Sequence, residues 1–417
     1  MKIETLNRSH LKRNIIIVVI VIAIISAIIL TFTRAKYRTS YSVPLINGTI
    51  NYSAAGLNIV AITVDGEEAD TIPTGNYELT EESYCEVNGN RDDNISLTYD
   101  NDTQTLNVVP FTTKGAKCYL DFKELPSYTM QEIITRYNIG NRGSFSTPYT
   151  STTTNTVFTT TDWKGTSYYF AGNPTDNWVQ FAGFYWRIVR VNGDGSVRLI
   201  YNGTSTTTTG TETMINSNQA FNSSYNRSEY VGFKYTTGEQ HGLTTDSTIL
   251  NTLQSWYNSS GLSATQYSRF IDTSIGFCND RNMTSGSFWR STGSTHYYAA
   301  RERVYTNKNP NLACSNIDII AEPIGLITVD EVAFAGGVFG VNNTNYYLHN
   351  NQYYLTMSPS YFNASSNIAF VFMITSNGYF GYGNVDSEDG VRPVINLKYD
   401  TKFTGTGTTS DPYVVIS

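Results

Sequence analysis

The chain has 417 residues, of which only 15% are charged, and a formal net charge of −7. That length allows two or three domains with substantial cores. Seven basic residues against Glu4 alone put +6 on residues 1–38, so the remainder carries −13, which excludes the basic footprint of a nucleic-acid-binding protein. Low charge with 31 Tyr and abundant Thr is the composition of β-rich extracellular proteins, in which these residues suit half-buried strands.

Residues 14–33 read NIIIVVIVIAIISAIILTFT, with no charge, Gly or Pro. At about 1.5 Å per residue such a helix spans a hydrocarbon core of about 30 Å. The stretch predicts a transmembrane anchor in contact with the lipid bilayer. Four basic residues precede it and three follow, so the positive-inside rule and the short head together place residues 1–13 in the cytoplasm and the bulk outside. Thr33-Arg34-Ala35 has the small-x-small form of a cleavage site. The apolar run nevertheless exceeds the usual length for a signal peptide, which favours an uncleaved anchor.

A short stalk follows at 34–44, then a small all-β domain at 45–123. Its strand-like runs are 57–64, 95–99, 105–109 and 117–122, punctuated by Asp65-Gly66, Asn88-Gly89 and Lys114-Gly115. We expect a compact β-sandwich acting as a spacer. The four cysteines, Cys85, Cys118, Cys278 and Cys314, all lie beyond the anchor. Three pairings exist. The two sequence-local pairs, Cys85–Cys118 and Cys278–Cys314, each staple one domain. No C-x-x-C spacing points to metal, and no cofactor or metal site is expected.

Residues 124–161 read as a short helix and a Thr-rich linker holding the domain boundary. Thr129 is the N-cap and Glu132 completes a capping box. The third domain, 162–417, is built around a hairpin at 181–203, whose turn is Asn192-Gly193-Asp194-Gly195. Arg187, Arg190 and Arg198 on this hairpin read as outward strand charges that blunt aggregation, with an anion clamp as the alternative. A helix is expected at 245–259, capped by Thr245 or Asp246, with Leu250, Leu253, Trp256 and Tyr257 toward the core. Residues 324–336 predict a strand and then a helix with Thr328 and Glu331 as its capping box. Short strands follow at 353–357, 369–375, 378–382 and 391–399, with Pro393 marking an edge or a bulge. Asp386, Glu388 and Asp389 form an acidic cluster that reads as a solvated turn, with calcium binding as the alternative.

Between these elements, 277–314 is long, polar and irregular, the kind of loop that carries function. Within 283–305 we single out Trp289, Arg290, His296 and Tyr298 as candidate ligand-binding residues. No HExxH, P-loop, GxSxG or dinucleotide-binding fingerprint occurs, and no catalytic residue is assigned.

Several phrases stand in order across 162–415: FYWRIVRVNGDGSVRLIYNGT, FCNDR, PIGLITVDEVAFAGG, YYLTMSPS, and GVRPVINLK followed by GTGTTSDPYVV. They resemble uncharacterised membrane-anchored surface proteins of Firmicutes-like bacteria. More remotely, the layout and the phrase Gly390-Val391-Arg392-Pro393 are similar to the C-type-lectin-like fold shared with formylglycine-generating enzymes. That resemblance implies a mostly β chain, α+β in its C-terminal domain, with irregular loops on a small twisted sheet. Calcium-dependent sugar-binding lectins carry E-P-N, whereas this chain has Glu322-Pro323-Ile324, and Ile supplies no ligating oxygen. Nothing after Cys314 is cysteine, so the reactive pair of the formylglycine-generating enzymes is missing. The expected function is a cell-surface binding or adhesion protein that meets a host, glycan or envelope partner. The alternatives are a cell-envelope hydrolase or transferase and a purely structural surface protein.

Overall fold

The computed structural model describes residues 58–101, 104–109 and 115–416. The expected head, anchor and stalk lie outside the described residues. Among the described residues no helix is long and apolar enough to cross a membrane. The chain is mostly β and divides into two units: 58–73, 79–99 and 104–122 in the first, and 74–78, 100–101 and 123–416 in the second.

In the first unit, Lys117–Glu124 lies between Asn58–Val64, which it pairs in parallel, and Tyr84–Val87, which it pairs antiparallel. Its alternation turns Cys118, Leu120 and Phe122 inward, all buried. Burying each of the two larger side chains contributes about 1.5–3 kcal/mol. Cys85 sits directly opposite Cys118 in this register, and the two form a disulfide. Ser96–Asp100 and Thr105–Val109 make a separate two-stranded ladder. Tyr99 from that ladder packs edge-on against Phe122, with ring centroids 5.2 Å apart.

The second unit has two large sheets. The first centres on the expected hairpin, observed as Phe184–Val191 and Val197–Tyr201. Asn192 N–H closes its turn on the carbonyl of Ser196 at 2.8 Å, and Gly195 takes the left-handed backbone the turn demands (φ +87°). Gly193 is required for a different reason: a Cβ there would collide with the backbone of Gly165. Val197–Tyr201 pairs antiparallel with Val394–Leu397. Trp186, Ile188 and Leu199 are fully buried, as their place on the hairpin predicts.

Phe184–Val191 pairs on its other edge with Gly165–Phe170 and Trp178–Phe181. Trp178–Phe181 in turn takes Tyr413–Ile416 as a parallel neighbour, and Lys402–Thr404 follows. The Thr-rich segment therefore does not stay a linker to residue 161: Val157–Asp162 is a strand of this sheet, paired along its length with Gly165–Phe170. The second sheet is an antiparallel meander, Tyr354–Asn363, Ile368–Ile374 and Phe380–Asn384. Glu388–Val391 and Asn216–Ala220 extend one side, and His296–Tyr297 adds to Tyr354–Asn363. Pro393 falls in the break between Glu388–Val391 and Val394–Leu397.

Three helices matter here. Helix α1, Met130–Ile134, carries the complete Thr129–Glu132 capping box and buries Met130, Ile133 and Ile134. Helix α2, Thr248–Ser259, is capped by Ser247 rather than Thr245 or Asp246, because Ser247 Oγ is the atom that accepts from Leu250 N–H. Leu250 and Leu253 are buried, and Trp256 and Tyr257 pack half-buried on the same core. Helix α3, Val329–Ala335, is buried along its whole length and carries the Thr328–Glu331 capping box.

The reading of Arg187, Arg190 and Arg198 as outward charges is overturned. All three are buried. Arg190 pairs with Asp162 at 2.7 Å and with Glu331 at 2.9 Å, and Arg198 pairs with the same Glu331 oxygen at 2.7 Å. Arg187 donates to Asn177 Oδ1 and to the carbonyl of Pro174, and lies 4.2 Å from the Trp178 ring centroid. Nor is this an anion clamp, since the carboxylates of α3 and Asp162 already occupy the donors. Inward arginines survive because each guanidinium finds at least two acceptors.

Candidate functional site

The long loop is ordered by three anchors. The Cys278–Cys314 disulfide closes its base. Glu229, buried, accepts from Ser291 Oγ at 2.8 Å and from Gly238 N–H at 2.9 Å. Arg303 bonds Asp280 and grips Asp330 of α3 through two nitrogens, at 2.9 and 2.7 Å. Burial by itself would lower the Arg303 pKa, but the two carboxylates hold it well above the ordinary value.

Of the four residues singled out in this loop, two are interior. His296 and Tyr298 are both buried and both bond to Ser228 Oγ. His296 Nδ1 faces the carbonyl of Ser294 at 2.9 Å. Nδ1 must therefore carry the proton, and Nε2 accepts from the Ser228 hydroxyl. Burial lowers the His296 pKa, keeping the ring neutral at pH 7. A serine and a histidine at this spacing resemble a nucleophile and its base. Here, however, Ser228, His296 and Tyr298 are all at most 1% exposed, so the trio knits the loop to its support. Trp289 is half-buried against the main core, and Arg290 is exposed beside it. The four do not converge on one surface.

A different group does. Residues 299–306 form a helical turn, and Asn307 N–H reaches back five residues to the carbonyl of Glu302 at 2.9 Å. Widened turns of this kind change which way successive side chains point and are frequent at functional sites. Arg303 on this turn faces inward to Asp280 and Asp330, while Arg301 and Tyr305 meet the meander. The Arg301 guanidinium carbon lies 5.0 Å from the ring centroid of Tyr297, 4.7 Å from Tyr305, and 5.1 Å from both Tyr361 and Tyr382.

The sheet explains why these rings gather. Tyr361 is the cross-strand partner of Phe370, and Tyr382 that of Phe372. Period-2 alternation puts all four on one face. Tyr361 and Phe370 stack at 4.2 Å with ring planes 5° apart, and Tyr382 meets Tyr361 edge-on at 5.1 Å. Phe339 packs on Tyr305 at 4.4 Å and on Tyr382 at 5.9 Å, extending the patch. Lys308 Nζ sits 5.6 Å from the Tyr305 centroid. Tyr297, Tyr305 and Tyr382 are 39–41% exposed, so the rings reach solvent. Burial, then the neighbouring Tyr382, push the Tyr361 pKa up to about 12.

Sequence reasoning missed this patch because its members come from five segments: 297–308, Phe339, and the three strands that carry Tyr361, Phe370 and Tyr382. The available signal was the aromatic spacing Phe370, Phe372 and Phe380, Tyr382 on alternating strands, with Arg301 and Tyr305 one helical turn apart.

Elsewhere the buried charges enclose little space. A cavity of about 20 Å³ lies among Trp163, Arg190, Arg303, Asp330 and Glu331, room for about one water. Among the described residues no group of three or more His, Cys, Asp or Glu is placed to hold a metal ion. Comparison of the chain with models of known families, with curated proteins and with solved structures gave no match.

Proposed function

We propose that the protein is a single-pass cell-surface binding protein. In this reading residues 14–33 anchor it, the first unit is a β-sandwich spacer, and the second is a C-type-lectin-like recognition module. The observation that carries the binding role is the exposed aromatic patch around Arg301. Aromatic rings held by a sheet and the helical turn beside it lose little freedom on binding and offer partly exposed apolar surface with a polar hydroxyl tip. The 20-residue apolar run of the sequence and two disulfides suit an anchored protein in an oxidising compartment.

Retention of the full-length chain on immobilised cell-envelope and host polysaccharides tests the proposal. We expect retention on at least one polymer, lost in the Tyr305→Ala/Tyr382→Ala double variant while the thermal transition is kept. Retention unchanged by the double substitution, or absent on every polymer, overturns it.

A further inference from the structure

Arg301 is charged, fixed and unanswered. Among the described residues it makes no ion pair and no side-chain hydrogen bond, whereas the buried arginines of the hairpin all have acceptors. Its Nη1 is buried without a hydrogen-bond partner. The tyrosine faces stabilise the cation through their quadrupoles but accept no conventional hydrogen bond. The nearest acid in sequence, Glu302, accepts instead from Ser285 N–H at 3.1 Å. Lys308 adds a second positive charge at the same patch, over Tyr305 and Phe339.

With Nη1 buried, Nε and Nη2 are left as the donors without protein partners. That edge of a guanidinium is a planar two-pronged fork, and it matches the two coplanar oxygens of a carboxylate. Around it stand the partly exposed rings of Tyr297, Tyr305 and Tyr382, broad enough to pack against one side of a pyranose. A protein surface that is acidic as a whole, −13 outside residues 1–38, disfavours long polyanions. It leaves a local cationic spot for a ligand whose charge is sparse and whose body is apolar on one side.

We propose that the patch binds an acidic saccharide of the uronic-acid kind, its ring stacked on the exposed tyrosines and its carboxylate paired with Arg301. This deepens the proposed binding role and rests on it.

The test is a calorimetric comparison of the full-length chain with tri-galacturonate and with galactotriose, which differ at C6 by carboxylate against hydroxymethyl. Tri-galacturonate is expected to bind at least about tenfold more tightly, the ratio a charge-assisted fork supports, with affinity falling as salt rises. Arg301→Gln removes that preference, and Arg301→Lys restores part of it by keeping the charge without the fork. Tyr382→Ala weakens both sugars, and galactotriose binding retained by Arg301→Gln guards against reading a folding defect as loss of charge recognition. Equal binding of the two trisaccharides overturns the acidic-sugar assignment and leaves the binding role intact. Binding of neither sugar, or tighter binding of a glycerol-phosphate oligomer or a single-stranded oligonucleotide, also overturns the assignment. Only failure on the polysaccharide panel as well would overturn the binding role.

Discussion

Glu331 closes the N-terminus of α3 with one carboxylate oxygen and pairs with two buried arginines through the other, Asp162 supplying the second negative charge. Its Oε2 accepts from the Thr328 N–H at 2.9 Å, and its Oε1 accepts from Arg190 Nε and Arg198 Nη1. Burial alone would raise its pKa, but Arg198 and Arg190 pull it down to about 2. The folded value lies below the unfolded one, so the stabilisation is complete above about pH 4.5. It is lost as pH falls from there toward about 2. Glu331→Gln leaves two buried guanidinium groups underpaired. Urea unfolding should show a loss of about 3–5 kcal/mol at pH 7, and that loss should shrink as the pH is taken below 4. A constant loss down to pH 2 would show that the carboxylate is not held ionised.

At the scale of elements, the loop between Cys278 and Cys314 depends on its staple. The cysteines are 36 residues apart, and replacing both by Ser should cost about 3–4 kcal/mol in the chain-entropy model. Amide exchange should accelerate first around residues 284–298, where Glu229 and Ser228 supply the remaining ties. Thr328→Ala should cost about 1 kcal/mol by removing a cap, read as a lowered urea midpoint at unchanged slope. The same contrast explains what was legible in the sequence. Both capping boxes and the central hairpin are written within a few residues, so local chemistry announces them. The inward arginines are not, because Arg190 and Arg198 find Glu331 at sequence separations of 141 and 133. The Arg301 patch failed for the same reason: Tyr361 and Tyr382 reach it only through strand register. The opposite error befell His296 and Tyr298, polar and aromatic in a polar loop yet drawn inside by one serine hydroxyl.

For the whole molecule, the sheet of the second unit is stitched by distant pieces. Tyr413–Ile416 lies between Trp178–Phe181 and Lys402–Thr404, and Tyr413 and Ile416 are buried. Deleting residues 413–417 should therefore abolish the cooperative thermal transition of this unit rather than trim its edge, and a transition kept near the wild-type temperature would refute this. The position of that strand also sets a timetable. Emerging vectorially from the ribosome, Trp178–Phe181 cannot find its parallel neighbour until more than two hundred further residues have been made. Closing so long a loop is slow, and the chain remains unclosed until its partner arrives.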